Sequence, residues 1–301
     1  MQKNLYQISS LIKRIEEQLR PVYPHASIAL QDAWVILSFV TKLSKASLIA
    51  QQSITLDATQ EVTLEKIINA LVVQQMPLNY LIGSVPFLDL SITVRPPTLI
   101  PRPETEYWCE QLTEHLTKKK FGNSREHTQK TILDLCTGSG CVGLSLAKAF
   151  PECAVTAVDI TPTACALAQE NARNNRLSNI TILESDLFTA LKPHTFFDVI
   201  VANPPYINQE AYDILDPSVK AWEDKKALYA DDNGLICIKD IIAKTPLYFS
   251  SSSQFKELWI EISHEQADVV TQLFLKRGFV NVKTLLDLAG KNRLVNGIFP
   301  L

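Results

Sequence analysis

The chain has 301 residues, of which 46% are hydrophobic and 20% charged, enough apolar side chain to bury a core in one large domain or two smaller ones. Its formal net charge is -3 and its pI about 6.0, a balance that weighs against a dedicated nucleic-acid binder, whose affinity rests on phosphate contacts. The six cysteines include no C-x-x-C pair and the five histidines show no ligand spacing, so no metal is expected and the thiols read as reduced, in a cytoplasmic protein. Neither a leader peptide nor a membrane span is expected from the pattern of apolar runs.

Leu11, Ile12, Ile15 and Leu19 recur at helical spacing, and Pro21 and Pro24 break that stretch. Further helical stripes run over 31–43, 44–52 and 63–74, the last with Thr63 as its cap. Residues 1–76 are therefore expected to form a small helical domain, either a structural cap or a partner-recognition domain. Alternation at Phe87, Leu88, Leu90, Ile92 and Val94, among Pro96, Pro97, Pro101 and Pro103, predicts a hairpin-like linker over 77–103. A helix over 104–117 opens the third region, 104–301, and the polar run 118–130 reads as a solvated loop. Strands are expected at 131–135, 154–159, 180–185, 197–202, 258–262, 279–286 and 293–299, with helices at 142–149, 163–174, 235–245 and 266–277. Such alternation specifies an α/β fold with a largely parallel sheet covered on both faces, its last two strands closing as an antiparallel hairpin.

In such a sheet ligands bind beyond the carboxyl ends of the strands. Four successive ends carry polar or conformationally special residues: Cys136-Thr137-Gly138-Ser139-Gly140, then Asp159, Asp186, and Asn203-Pro204-Pro205-Tyr206. Gly138 and Gly140 permit a tight turn close to a ligand and into a helix N-terminus. Asp159, about twenty residues on, suits ribose hydroxyls. With Gly143 the glycines also satisfy G-x-G-x-x-G, so this motif alone leaves a nicotinamide cofactor open, as well as a turn that holds no ligand.

Asn-Pro-Pro-Tyr points to methyl transfer. Two prolines fix φ and supply no N–H, so the backbone can present carbonyls. The Asn203 side-chain oxygen and the Pro204 carbonyl can accept both hydrogens of one NH2 group, and Tyr206 can stack on a planar group. This device suits methylation of an amide or amino nitrogen and answers no need of hydride transfer. Asp186 is placed to accept from an adenine amino group, with a helix-cap role as the alternative. Asp134 is expected to hold the turn.

ILDLCTGSG (132–140), AVDI, ESDLF and ANPPYI resemble the HemK/PrmC methyltransferases, which modify the glutamine of the Gly-Gly-Gln motif in class I peptide-chain release factors. TLIPRPETE (98–106) is similar to that family's signature ahead of the catalytic domain, NYLIG with Phe87 to its linker, and the helical first part to its release-factor-binding domain. Residues 219–234 resemble the family less closely. The resemblance implies a Rossmann-like class I methyltransferase domain with a seven-stranded sheet over 104–301, and a small N-terminal helical substrate-recognition domain. It also implies S-adenosyl-L-methionine as methyl donor, S-adenosyl-L-homocysteine as product, and no metal. Cys136, Thr137, Gly138, Ser139 and Gly140 would form the cofactor loop, Asp159 would bind ribose, and Asp186 and Leu187 would lie by the adenine. Asn203 would touch the cofactor as well as the substrate glutamine, held with Pro204, Pro205 and Tyr206; Asn203, Pro204 and Tyr206 would be catalytic.

A release factor is the expected partner of a cytoplasmic monomer that makes no direct nucleic-acid contact. Cys136 in place of glycine, and Leu187 where some relatives carry a larger aromatic residue, depart from the pattern. NPPY and the glycine turn are shared with DNA adenine methyltransferases; IPRPETE, the helical domain and the lack of a separate target-recognition domain favour the release factor. The competing readings are glutamine methylation of a ribosomal protein, N6-adenine or N2-guanine methylation of nucleic acid, a non-catalytic binding module, and a nicotinamide oxidoreductase.

Overall fold

Ile8, Leu11, Ile12, Ile15 and Leu19 all lie on the buried stripe of the helix Ile8–Leu19. They share one core with Ala33, Ile36 and Leu37 of the helix Ala26–Thr41 and with Leu64, Ile67, Ile68 and Leu71 of the helix Ala58–Val72. The computed structural model describes residues 3–23, 25–122, 129–251 and 253–300, so Pro24 and the 123–128 part of the expected polar loop lie outside the described residues.

This first region is not purely helical. Strand β1 (Lys3–Gln7) pairs antiparallel with β2 (Ser53–Asp57), with Leu5 opposite Thr55. Five-residue strands in which only Ile54 and Leu56 turn inward leave too short an alternation to register as sheet. The cap expected at Thr63 also moves. The helix begins at Ala58, where Asp57 accepts from Gln60 N at 2.9 Å and the Gln60 side chain accepts from Asp57 N at 3.0 Å. Thr63 sits a turn inside, its hydroxyl donating back to Thr59 O. Helical structure resumes past Pro77, in Leu78–Ile82, because Leu78 joins the same core. The chain divides into one compact unit of Met1–Gly83 with Asp216–Trp222, and a second of Ser84–Leu215 with Glu223–Leu301. Within the first, the Trp222 indole donates to Gln74 O at 3.0 Å.

The second unit opens with the hairpin of β3 (Ser84–Phe87) and β4 (Leu90–Thr93), which buries Phe87 and Ile92. After the helix Pro103–Lys118 come β5 (Thr131–Leu135), β6 (Ala154–Asp159), β7 (Ile180–Glu184), β8 (Val199–Ala202), β9 (Glu257–Glu261), β10 (Val280–Leu286) and β11 (Asn292–Ile298). They form one seven-stranded sheet of order β10-β11-β9-β8-β5-β6-β7. β5 to β9 run parallel, and β11 is antiparallel to both β9 and β10. Leu133, Leu135, Ile200, Ala202, Leu258 and Ile260 are buried in its central core, as expected of strands covered on both sides. Phe121, in the run read as solvated, is instead buried edge-on against Phe150 and Phe255.

The chain leaves β5 toward β6 and β7, then returns to place β8 on the other side of β5. The carboxyl ends of β5 and β8 therefore flank the point where the strand order reverses, the crevice in which an open α/β sheet binds ligands. The glycine turn follows β5 and Asn203 follows β8.

Replacing Asp57 with Ala removes the first-turn acceptor of the helix Ala58–Val72. The expected loss is about 1 kcal/mol of stability, read as a lower urea midpoint of the full chain; an unchanged midpoint would contradict the capping role.

Candidate active site

Leaving β5, the backbone turns sharply at Cys136, whose φ of +58° lies in the left-handed region that glycine adopts without strain. At Gly138 φ is +56°, and a Cβ built there would meet nothing within 4 Å, because the residue faces an open cavity. Two carboxylates hold this turn. Asp134, 1% exposed, accepts from Thr137 Oγ1 at 2.5 Å and Gly143 N at 2.9 Å, which is the loop-holding role expected of it. Asp159 accepts from Gly138 N at 2.8 Å and from Thr161 N at 2.9 Å. Buried Asn171, which sequence reasoning did not single out, donates to Ser139 O and Thr93 O and accepts from Thr93 N, tying the turn to the β4 strand. Burial foremost, with the charge of Asp159, pushes the Asp134 carboxyl up to about 7, against the two hydrogen bonds it accepts.

Beyond β8, Asn203 Nδ2 donates to Thr105 Oγ1 at 3.3 Å. Thr105 donates in turn to Glu261 Oε2 at 2.6 Å, as does Trp108 Nε1 at 2.6 Å, and Tyr206 Oη donates to Glu261 Oε1 at 3.0 Å. Burial raises the Glu261 carboxyl above its ordinary range, opposed by these three bonds and by the charge of Arg293. The NPPY backbone is clamped by Gly234, at φ +79°, where a Cβ would lie 2.0 Å from Tyr206 O. Gln266 Nε2 adds bonds to Tyr206 O and Asn233 O, both at 3.1 Å.

Both turns open on one cavity of about 280 Å³. Of the residues expected from sequence, Cys136, Gly138, Asp159, Asp186, Leu187, Asn203 and Pro205 line it. Thr137, Ser139 and Pro204 are buried beside it, and Gly140 shapes the turn at φ +87°. Tyr206 is not among the lining residues: its ring packs on the core and its hydroxyl is held by Glu261. The lining also includes Pro97, Leu99, Tyr229 and Ile236, which sequence reasoning had not placed there. Of these lining residues Pro97 accepts through its carbonyl from Asp224 N at 2.7 Å, and next to Asp224 in sequence the buried Glu223 accepts through both oxygens from Arg102 Nη2 at 2.7 and 2.6 Å.

Residues 109–221 match the Methyltransferase small domain family, and residues 10–83 match the PrmC N-terminal domain. A release factor glutamine methyltransferase of Thermodesulfovibrio yellowstonii is 32% identical over 93% of this chain and 96% of its own. One from Salmonella typhimurium is 35% identical over 89% and 92%. The chain belongs to the release factor glutamine methyltransferase family. The fold of a methyltransferase is shared more widely. The hMettl16 catalytic domain, solved with a MAT2A 3'UTR hairpin, aligns at TM-score 0.53 and 16% identity over 81% of this chain and 83% of that one. The Thermus thermophilus 16S rRNA N2 G1207 methyltransferase, solved with AdoMet and guanosine, aligns at 0.50 and 18% identity over 72% and 50%.

The structure shows what IPRPETE does in this member of the family. Arg102 secures Glu223, Pro103 begins the helix, Thr105 links Asn203 to Glu261, and Glu106 accepts from Leu88 N at 2.6 Å. Glu261 had a visible signal: a carboxylate inside the apolar run LWIEI, which an interior strand tolerates only if donors surround it.

A carboxyl whose folded pKa lies above its unfolded value favours the fold while protonated and loses that contribution as pH rises. For Asp134 the window runs from about 4 to about 7, with a slope of up to about 1.4 kcal/mol per pH unit. Stability of the wild type relative to D134N should therefore fall across that window and stay level above it, as read from denaturation midpoints. A constant difference would contradict a raised Asp134 pKa.

Proposed function

We propose that this methyltransferase moves a methyl group from S-adenosyl-L-methionine to the side-chain amide nitrogen of the glutamine in the Gly-Gly-Gln motif of class I peptide-chain release factors. The observation that carries this reading is that Gly138 and Asn203, at the two strand ends of the switch point, line the same cavity. A cofactor cradle and an amide-binding group then share one cavity. The similarity to the release factor enzymes named above, over 93% and 89% of the chain, supports the partner.

The residues fit the cofactor. Gly138 leaves open the space a side chain would fill, Asp159 offers a carboxylate on the same wall, and Leu187, Ile160 and Ile236 give apolar surface for a purine. Asp186 supplies an acceptor beside them. S-adenosyl-L-methionine, when bound, supplies an electrophilic methyl group and leaves as S-adenosyl-L-homocysteine.

The protein's part is placement. An amide nitrogen is a poor nucleophile because its lone pair is delocalised, and holding it in line at near-attack distance is worth as much as ~7–11 kcal/mol. Asn203 Oδ1 and the Pro204 carbonyl accept the two NH2 hydrogens, which turns one face of the nitrogen toward the methyl and stabilises the positive charge that grows there. The Tyr206 hydroxyl, held by Glu261, fixes the loop that carries both acceptors. The helical unit at the N-terminus is assigned to recognition of the release factor, in line with its match to the PrmC N-terminal domain.

The first assay is methylation of a release factor by purified enzyme, with a Gly-Gly-Ala version as control and peptide mass spectrometry to locate the mark. One methyl on the glutamine, absent from the control, is expected; a mark on a ribosomal protein or nucleic acid instead would replace this substrate. Asn203→Ala should lower kcat by on the order of 10²–10³ while cofactor affinity by calorimetry is largely kept. Parallel loss of both would remove Asn203 from its assigned role.

A further inference from the structure

Glu261 ends β9 with 1% of its surface exposed and takes three donors: Thr105 and Trp108 on Oε2, both at 2.6 Å, and Tyr206 on Oε1 at 3.0 Å. The Trp108 indole N–H can only donate, and three donors converging on Glu261 favour its ionised, acceptor-only form against the burial that opposes it; in that form the direction of every bond in the cluster is fixed. Thr105 has a single hydroxyl proton, and Glu261 takes it. The Thr105 oxygen can then only accept from Asn203, so the Asn203 amide must offer Nδ2, as it does at 3.3 Å. The other end, Oδ1, is left for whatever enters the cavity that Asn203 lines.

We propose that Glu261, acting through Thr105, sets the orientation of the Asn203 amide, so that an acceptor rather than a donor meets the substrate NH2. Both are positioning residues, since neither touches the reacting atoms. The inference rests on an amide substrate. Were the relay absent, the amide could turn over and present its own NH2 to the substrate NH2, two donors face to face. Trp108 and Tyr206 contribute by saturating the carboxylate, which keeps it acceptor-only in a dry setting.

The test compares T105V, which keeps the shape and removes the hydroxyl, with T105S, which restores it, and E261M with E261Q, whose amide oxygen can replace Oε2. T105V should lower kcat about tenfold, the scale of one lost polar interaction, while cofactor affinity stays within about twofold. T105S should recover most of the rate, and E261Q should retain more than E261M. If E261M fails to fold, T105V and T105S decide alone. Side-chain amide NMR of Asn203 gives a readout that needs no substrate: slow exchange of its NH2 protons in wild type and T105S, fast exchange in T105V. Wild-type kcat and exchange in T105V, or an equal loss in T105S, would overturn the inference. If wild-type enzyme leaves the Gly-Gly-Gln glutamine unmodified, the substrate reading fails, and the exchange pattern still decides the orientation.

Discussion

A carboxylate taken out of water has to be surrounded by donors, and the one at Glu261 draws its donors from separate parts of the chain. Thr105 and Trp108 come from the helix Pro103–Lys118, and Tyr206 from the loop beyond β8. Desolvating such a charge without partners costs several kcal/mol, so the helix and the loop are held in register by a requirement that adds to packing. The cavity is formed between elements that this requirement has already fixed.

The same logic recurs at the rest of the site. Asp134 ties the glycine turn to the helix that follows, and Asp159 ties it to β6. Glu223 binds Arg102, tying the segment ahead of the helix Pro103–Lys118 to residues that run into the cavity lining at Asp224. Each carboxylate converts a loop, which would otherwise be loose, into a part of the scaffold. Reactive-site geometry can then be set before any ligand arrives, which reduces what binding must spend on ordering.

Much of the α/β half was legible because interior strands are continuous apolar runs, and 131–135, 154–159 and 197–202 stand out as such. The cavity lining was legible at the strand ends, where glycine, proline and acidic residues carry meaning by position. What escaped was of two kinds. β1 and β2 are short and paired across about fifty residues, so no local pattern announces them. Thr105, Trp108 and Asn171 act through partners 32 to 156 positions away, and their side chains are ordinary in isolation, whereas Glu261 stands out only as a carboxylate within an apolar run. Tyr206 shows the limit of motif reasoning: the aromatic ring read as a stacking surface is oriented by the buried carboxylate and does not line the cavity.

Gly234 carries no functional group and lies outside the cavity lining, yet Tyr206 O occupies the space where any other residue would place its first carbon. The position is therefore closed to sequence drift for a reason unrelated to chemistry. Among descendants of this chain, variation should stop there. A survey of tolerated substitutions would rank this silent backbone atom beside the residues that handle the substrate.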